Sequence, residues 1–265
     1  MAAASPAEFE RVAREAAEAA GRGLRERFGQ PINVRSKGLH DFVTEADDEA
    51  ERTIVEHLRG NYPDHSIMTE ESAPDTAPGG YRWIVDPLDG TTNFIHGVPT
   101  FCVSIALEDE RGLVAAAIHD PLREETFCAH RAGGARRNGE TIRCNDPADP
   151  HDSLIATGFP FRELSRLDQY LEAFETFVRS TAGIRRAGSA CMDLAYTACG
   201  RYDGFWEVGL STWDIAAGAL LVLEAGGTVT DITGGDGYLR SGDILAAGKK
   251  LHPVMLRTTR AAFGR

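Results

Sequence analysis

The run Trp83-Ile84-Val85-Asp86-Pro87-Leu88-Asp89-Gly90-Thr91-Thr92-Asn93-Phe94 constrains this chain more than any other stretch. Three bulky β-formers lead straight into two aspartates, held apart by Pro87 and followed by Gly90. Proline fixes its own φ and glycine tolerates close approach or a positive φ. The run therefore predicts a strand that ends in a stiff turn carrying both carboxylates. Two like charges this close repel each other and call for a cation between them. Hard oxygen ligands with no histidine or thiolate nearby point to Mg²⁺ rather than zinc or copper. The following Gly90-Thr91-Thr92 can open a short helix whose free N–H groups would face a phosphate. Asp-Gly by itself also serves plain hairpin turns, so the rest of the chain must decide.

Apolar residues Phe9, Val12, Ala13, Ala16, Ala20, Leu24 and Phe28 recur at helical spacing and predict an amphipathic helix from about Pro6 to Phe28. A second helix follows Thr44, with Ala46, Ala50, Ile54 and Leu58 on one face, and stops near Gly60. Ala73 to Gly80 reads as a loop too short to separate domains. From Trp83 to about Thr141, short β-rich runs alternate with turn signals such as Asp120-Pro121 and Asn138-Gly139, which predicts an antiparallel meander. Beyond about Pro150, helices are expected over Leu164–Val178, Ser189–Cys199 and Thr212–Ala225. Strands are expected over Gly204–Val208, Thr228–Thr230 and Ile244–Ala247. We read one α/β domain over residues 1–265 with two lobes, approximately 1–150 and 151–265.

Three further acidic sites stand in suitable contexts. Glu70-Glu71-Ser72 ends the apolar segment Ser66-Ile67-Met68, another expected strand end. Asp214 stands at the start of an expected helix, where an aspartate also serves as a cap or offsets the helix dipole. Asp47 belongs to Thr44-Glu45-Ala46-Asp47, which has the form of a capping box. Together these residues would make a multi-carboxylate metal cage; singly, each has a structural explanation.

The same stretches carry a family resemblance. Trp83 to Phe94 and Trp213-Asp214-Ile215-Ala216-Ala217-Gly218 resemble the two signature motifs of the inositol monophosphatase family. Lys37 to Thr44, Thr69-Glu70-Glu71-Ser72 and Asp203 to Leu210 resemble further family segments in the same order. The likeness covers nearly the whole chain and is nearest to the bacterial, extragenic-suppressor type. It implies a layered α-β-α-β-α sandwich, mixed α+β and α/β in character, assembled as a homodimer. It implies one Mg²⁺ held by Glu70, Asp86 and the carbonyl of Leu88, a second by Asp86, Asp89 and Asp214, and room for a third near Glu70. Thr91, with Glu70 and Asp47, would orient and deprotonate the attacking water. Gly90 and Thr91 would hold the phosphate. Glu207, Gly188, Ser189, Ala190 and nearby Arg185 would contact the alcohol portion, with Arg185 equally suited to a partner subunit or to the surface.

The resemblance implies a Mg²⁺-dependent, Li⁺-sensitive phosphomonoesterase acting on a small phosphorylated polyol. The Gly-Thr-Thr-Asn signature lacks the charged pair expected of nucleotide 3'-phosphatases, whereas histidinol-phosphate and fructose-bisphosphate phosphatases share the metal site and stay open. Some bacterial relatives bind transcription or RNA-processing machinery, so a mainly non-catalytic partner role is the competing reading.

Composition agrees with the metal. A net charge of −12 repels polyanions at long range, which argues against direct nucleic-acid binding and requires local cations wherever a phosphate is held. The five cysteines are widely spaced with no CxxC pair, so reduced, partly buried thiols are expected. No apolar run suits a membrane helix and the N-terminal stretch lacks the pattern of a secretion signal, so the expectation is a cytoplasmic protein. P-loop, HExxH, GxSxG, GxGxxG and calcium-loop motifs are absent.

Overall fold

The apolar stripe of the N-terminal segment forms α1 (Pro6–Arg27), begun by Ser5, whose side chain accepts from the Glu8 N–H, and buried along Phe9, Val12, Ala13, Ala16, Ala17, Ala20 and Leu24. The computed structural model describes residues 4–38, 41–72, 80–147, 149–161 and 164–264. The loop expected over Ala73–Gly80 therefore lies, apart from Gly80, outside the described residues, as do Leu39 and His40. A hairpin that the sequence did not signal, β1 (Val34–Gly38) and β2 (Asp41–Thr44), leads into α2 (Glu45–Asn61). The Thr44/Asp47 capping box starts α2, so that structural reading of Asp47 holds.

The meander forms as expected, with one strand more on its edge. Strands β3 (Ser66–Thr69), β4 (Arg82–Asp89), β5 (Cys102–Asp109), β6 (Gly112–Asp120), β7 (Glu125–His130), β8 (Gly134–Arg137) and β9 (Glu140–Thr141) lie side by side in chain order, with the short α3 (Thr91–Ile95) between β4 and β5. From β4 onward every pair is antiparallel, whereas β3 joins β4 in parallel, Ile67 opposite Trp83. Side chains alternate across a strand. Trp83 and Val85 consequently pack under α1 and α2, while Ile84 packs on the other face. Asp86 follows on the Ile84 side.

The second half supplies β10 (Leu154–Thr157), α4 (Leu167–Ser180), β11 (Gly183–Arg185), α5 (Ala190–Ala198), β12 (Gly204–Glu207), α6 (Thr212–Glu224), β13 (Thr228–Thr230), α7 (Tyr238–Ser241), β14 (Ile244–Ala247) and α8 (Leu251–Phe263). Its sheet runs β11-β10-β12-β14-β13. Helices α5 and α6 are buried almost all round, as a helix between two sheets must be. Gly218 of α6 lets α5 come close, since a Cβ there would lie 2.4 Å from Cβ of Leu194. Outside the second sheet, α4 and α8 cover Trp206, which stacks on Tyr170 at 4.8 Å between ring centroids. The order is helix, sheet, helix, sheet, helix, the layered mixed α/β fold expected. Among the described residues no helix is long and apolar enough to cross a membrane.

Candidate active site

Strand β4 does not end in a turn at Asp86, as the sequence suggested; it continues to Asp89 through an irregularity. Asp86 pairs with Ser104 and Asp89 with Cys102, so three steps on β4 match two on β5. Such a bulge accommodates Pro87, which cannot donate to the ladder. The extra residue has a chemical consequence. Residues three apart on a regular strand face opposite sides of a sheet, and the bulge brings Asp86 and Asp89 to the same side. Gly90 then turns the chain at φ +97°, where a Cβ would approach the Thr100 carbonyl oxygen to 2.9 Å.

The third acid arrives from the middle layer. Asp214 is the third residue of α6 and accepts from the Ser211 N–H at 2.7 Å, closing a capping box. Oxygens of Asp86, Asp89 and Asp214 all lie within 4.8 Å of one another. Asp214 is thus both a cap and a member of the cluster, the two readings the sequence had left open. Asp86 is 1% exposed, and burial pushes its carboxyl well above the usual range, with Glu70, Asp89 and Asp214 adding to the effect. Burial also raises Asp89, against hydrogen bonds to its Oδ2 from Ser189 Oγ (2.6 Å) and the Cys191 N–H (2.7 Å). A buried, all-oxygen set of mutually repelling carboxylates fits a hard divalent cation. A second triplet, Asp89 with the thiols of Cys102 and Cys191, is equally close. Burial raises both thiols above their ordinary range, which keeps them protonated and poor ligands. All five cysteines are free, as expected.

Thr91 and Asp47 meet from different elements. Thr91 Oγ1 lies 3.0 Å from Asp47 Oδ1 and 3.0 Å from the Leu88 carbonyl oxygen, so its proton can go to either. Asp47 Oδ2 accepts from the Thr44 N–H at 2.8 Å and hydroxyl at 2.6 Å. Burial raises the Asp47 carboxyl and these hydrogen bonds oppose the rise. Glu70, just past β3, is anchored by its N–H to the Val85 carbonyl at 3.2 Å.

A cleft of about 390 Å³ opens above these groups. Every residue the sequence nominated lines it except Asp47, which reaches it through Thr91, and Arg185. Arg185 is exposed on β11 and donates to the Ile184 carbonyl; its neighbour Arg186 lines the cleft, its guanidinium 5.3 Å from the ring centres of both Phe159 and Phe161. Glu207, 9% exposed at the end of β12, lies against Gly158, where a Cβ would overlap its carboxylate. Sequence reasoning missed Arg186, Phe159, Phe161 and Asp193, all lining the cleft. Asp193 carried a usable signal, an aspartate inside an otherwise apolar helix. Asn93 was quoted only as part of a motif, yet its side-chain amide donates to the carbonyls of Thr100 (2.7 Å) and Ala187 (2.9 Å), tying α3 to the segment before α5.

Residues 5–262 match the model of the inositol monophosphatase family. A Nus factor SuhB of Pseudomonas aeruginosa is 50% identical over 253 residues, covering 94% of this chain and 93% of that protein. The crystal structure of the extragenic suppressor protein suhB from Bartonella henselae superposes with a TM-score of 0.92 at 41% identity, covering 95% of this chain and 98% of that one. An inositol monophosphatase from Anabaena superposes with a TM-score of 0.86 at 38% identity, covering 96% and 95%. On this agreement of sequence and fold, the chain belongs to the inositol monophosphatase family.

Proposed function

We propose that this chain is a Mg²⁺-dependent phosphomonoesterase that hydrolyses inositol monophosphate or a similar small polyol phosphate by in-line attack of water. The observation that carries the reading is the convergence of Asp86, Asp89 and Asp214, from a bulged strand and a helix start, into one buried cluster. Glu70, Asp86, the Leu88 carbonyl, Asp89 and Asp214 would hold two or three Mg²⁺. When bound, the ions supply charge neutralisation at the phosphoryl oxygens and lower the pKa of an attacking water.

The protein's own groups do the positioning. The Thr91 hydroxyl, giving its proton to Asp47, turns a lone pair toward the cleft and accepts from the attacking water. Asp47, its basicity raised by burial, is the sink for that proton. Glu70, just past the neighbouring strand β3, would orient the water. N–H groups at Gly90 and Thr91 would hold the phosphate, while Ser189, Gly188, Ala190 and Glu207 define the side that receives the alcohol. No protein nucleophile is needed, because phosphoryl transfer depends chiefly on alignment and charge. The deciding assay is phosphate release from inositol, glycerol and histidinol monophosphates and fructose 1,6-bisphosphate, each with Mg²⁺ and with chelator. Chelator-sensitive turnover, greatest on inositol or glycerol phosphate, is expected; turnover that survives chelation contradicts the reading.

The relatives named as Nus factors favour a second reading, in which the chain's main role is as a partner of transcription machinery. Growth complementation with Asp89→Ala separates the two: rescue favours the partner role and failure favours catalysis.

A further inference from the structure

The cleft contains a carboxylate that none of the chemistry above uses. Asp193 lies one turn into α5, three residues beyond Ala190, and lines the cleft with Glu207. It is 1% exposed, and its Oδ1 is the one buried carboxylate oxygen among the described residues without a hydrogen-bond partner. An aspartate in a first helical turn often serves the helix, by capping it or offsetting its dipole. Here Ser189 performs the capping, accepting from the Met192 N–H with its side chain. Leaving a buried carboxylate oxygen unpartnered costs free energy that no packing role requires.

The surroundings indicate what would satisfy it. Glu207 lines the same cleft and, with Asp89, opposes a charge on Asp193, while Arg186, also on the cleft wall, favours it. The Arg186 guanidinium is engaged on the faces of Phe159 and Phe161. The distal wall thus offers two carboxyl groups and one cation already stacked on aromatic rings. Such a wall accepts hydrogen bonds from a neutral or cationic group and repels an anionic one.

We propose that Asp193 is a second specificity-determining residue, beside Glu207, which accepts a hydrogen bond from a hydroxyl of the alcohol being released. The proposal rests on the phosphomonoesterase reading and narrows its substrates to alcohols with at least two donors beyond the ester oxygen and no second anionic group. A phosphate that lacks those donors would leave Asp193 as it stands in the free protein and gain nothing from it.

The test compares wild type, Asp193→Leu and Asp193→Asn on inositol 1-phosphate and on cyclohexyl phosphate, the same ring without its hydroxyls. The ratio of kcat/KM for inositol 1-phosphate over cyclohexyl phosphate should fall roughly tenfold in Asp193→Leu, mainly through KM, with Asp193→Asn intermediate because it keeps an acceptor oxygen. Thermal unfolding supplies a readout that a purely structural role would move the other way. Removing an orphaned buried carboxylate should raise Tm in both variants. An unchanged ratio, or a fall in Tm for both variants, overturns the assignment while leaving the phosphatase reading intact. A wild type inert on both esters overturns the two together.

Discussion

Thr91 illustrates how few atoms the proposed chemistry needs. Its hydroxyl bridges the Asp47 carboxylate and the Leu88 carbonyl, both at 3.0 Å, so a single oxygen couples a buried acid to the cleft. Thr91→Ala should lower kcat by roughly 10²–10³-fold with a small change in KM, and Thr91→Ser should restore most of it, as is usual for a group aligned with a proton transfer. Steady-state kinetics on inositol 1-phosphate decide; equal losses in Thr91→Ser and Thr91→Ala would point to packing instead. Gly90 is constrained for another reason. Its φ of +97° and the Thr100 oxygen 2.9 Å from any Cβ both oppose a side chain. Gly90→Ala should cost about 1–3 kcal/mol in urea unfolding and displace the aspartates on either side of the bulge. At this scale the sequence was only partly legible. Asp47 and Asp214 each read singly as a cap because they are caps, and sequence spacing alone could not report that the same side chains also meet Thr91 and the acidic cluster.

Among elements, α1 shows where contact outweighs helix propensity. Gly21 faces the sheet, and a Cβ there would lie 2.3 Å from Cδ2 of His119. His119 is buried and held to Thr126 Oγ1 at 2.9 Å, and burial keeps it neutral. Alanine would gain about 1 kcal/mol of helix propensity and lose about 1–3 to overpacking. Gly21→Ala should therefore destabilise the protein, against the usual trend for glycine in a helix, by about 1 kcal/mol in thermal or urea melts. The β5–β6 hairpin has its own clasp, Arg131 forking onto Asp109 at 2.7 and 3.0 Å and bringing that carboxyl down to about 2. A depressed folded pKa contributes stability above the ordinary value of 3.8, and the contribution is lost as pH falls through about 2. Arg131→Met should cost roughly 1 kcal/mol near neutrality, and the gap to wild type should narrow as the medium is acidified. Helices α1 and α2 were legible because each buries a periodic apolar face, whereas α6 is buried almost all round. The β1–β2 hairpin was not: Val34 and Phe42 are substantially exposed, so no alternation marks it. The β4 bulge was illegible for a different reason, since it exists only in register with β5.

For the molecule as a whole, the site lies where strand β4, helix α6 and the start of α5 meet. Asp86, Leu88 and Asp89 come from β4, Glu70 from just past β3 and Asp214 from α6 of the middle layer, so metal binding should stabilise the fold across both layers. At Mg²⁺ a hundredfold above its dissociation constant, one site adds about 2.7 kcal/mol. Calorimetry should show Tm rising with Mg²⁺ and returning to its starting value with chelator, and this gain should disappear in Asp86→Asn. Layer order and most residues of the candidate cleft were legible from the motifs, but Arg186 and Asp193 were not, because their place on its wall depends on how α5 and β12 pack. The most direct test is the Mg²⁺ dependence of phosphate release from inositol 1-phosphate by wild type and Asp89→Asn. Magnesium-dependent turnover in the wild type and a fall of about 10³-fold or more in kcat/KM for the variant are expected. Near-normal turnover by Asp89→Asn, or wild-type turnover indifferent to Mg²⁺, would contradict the account.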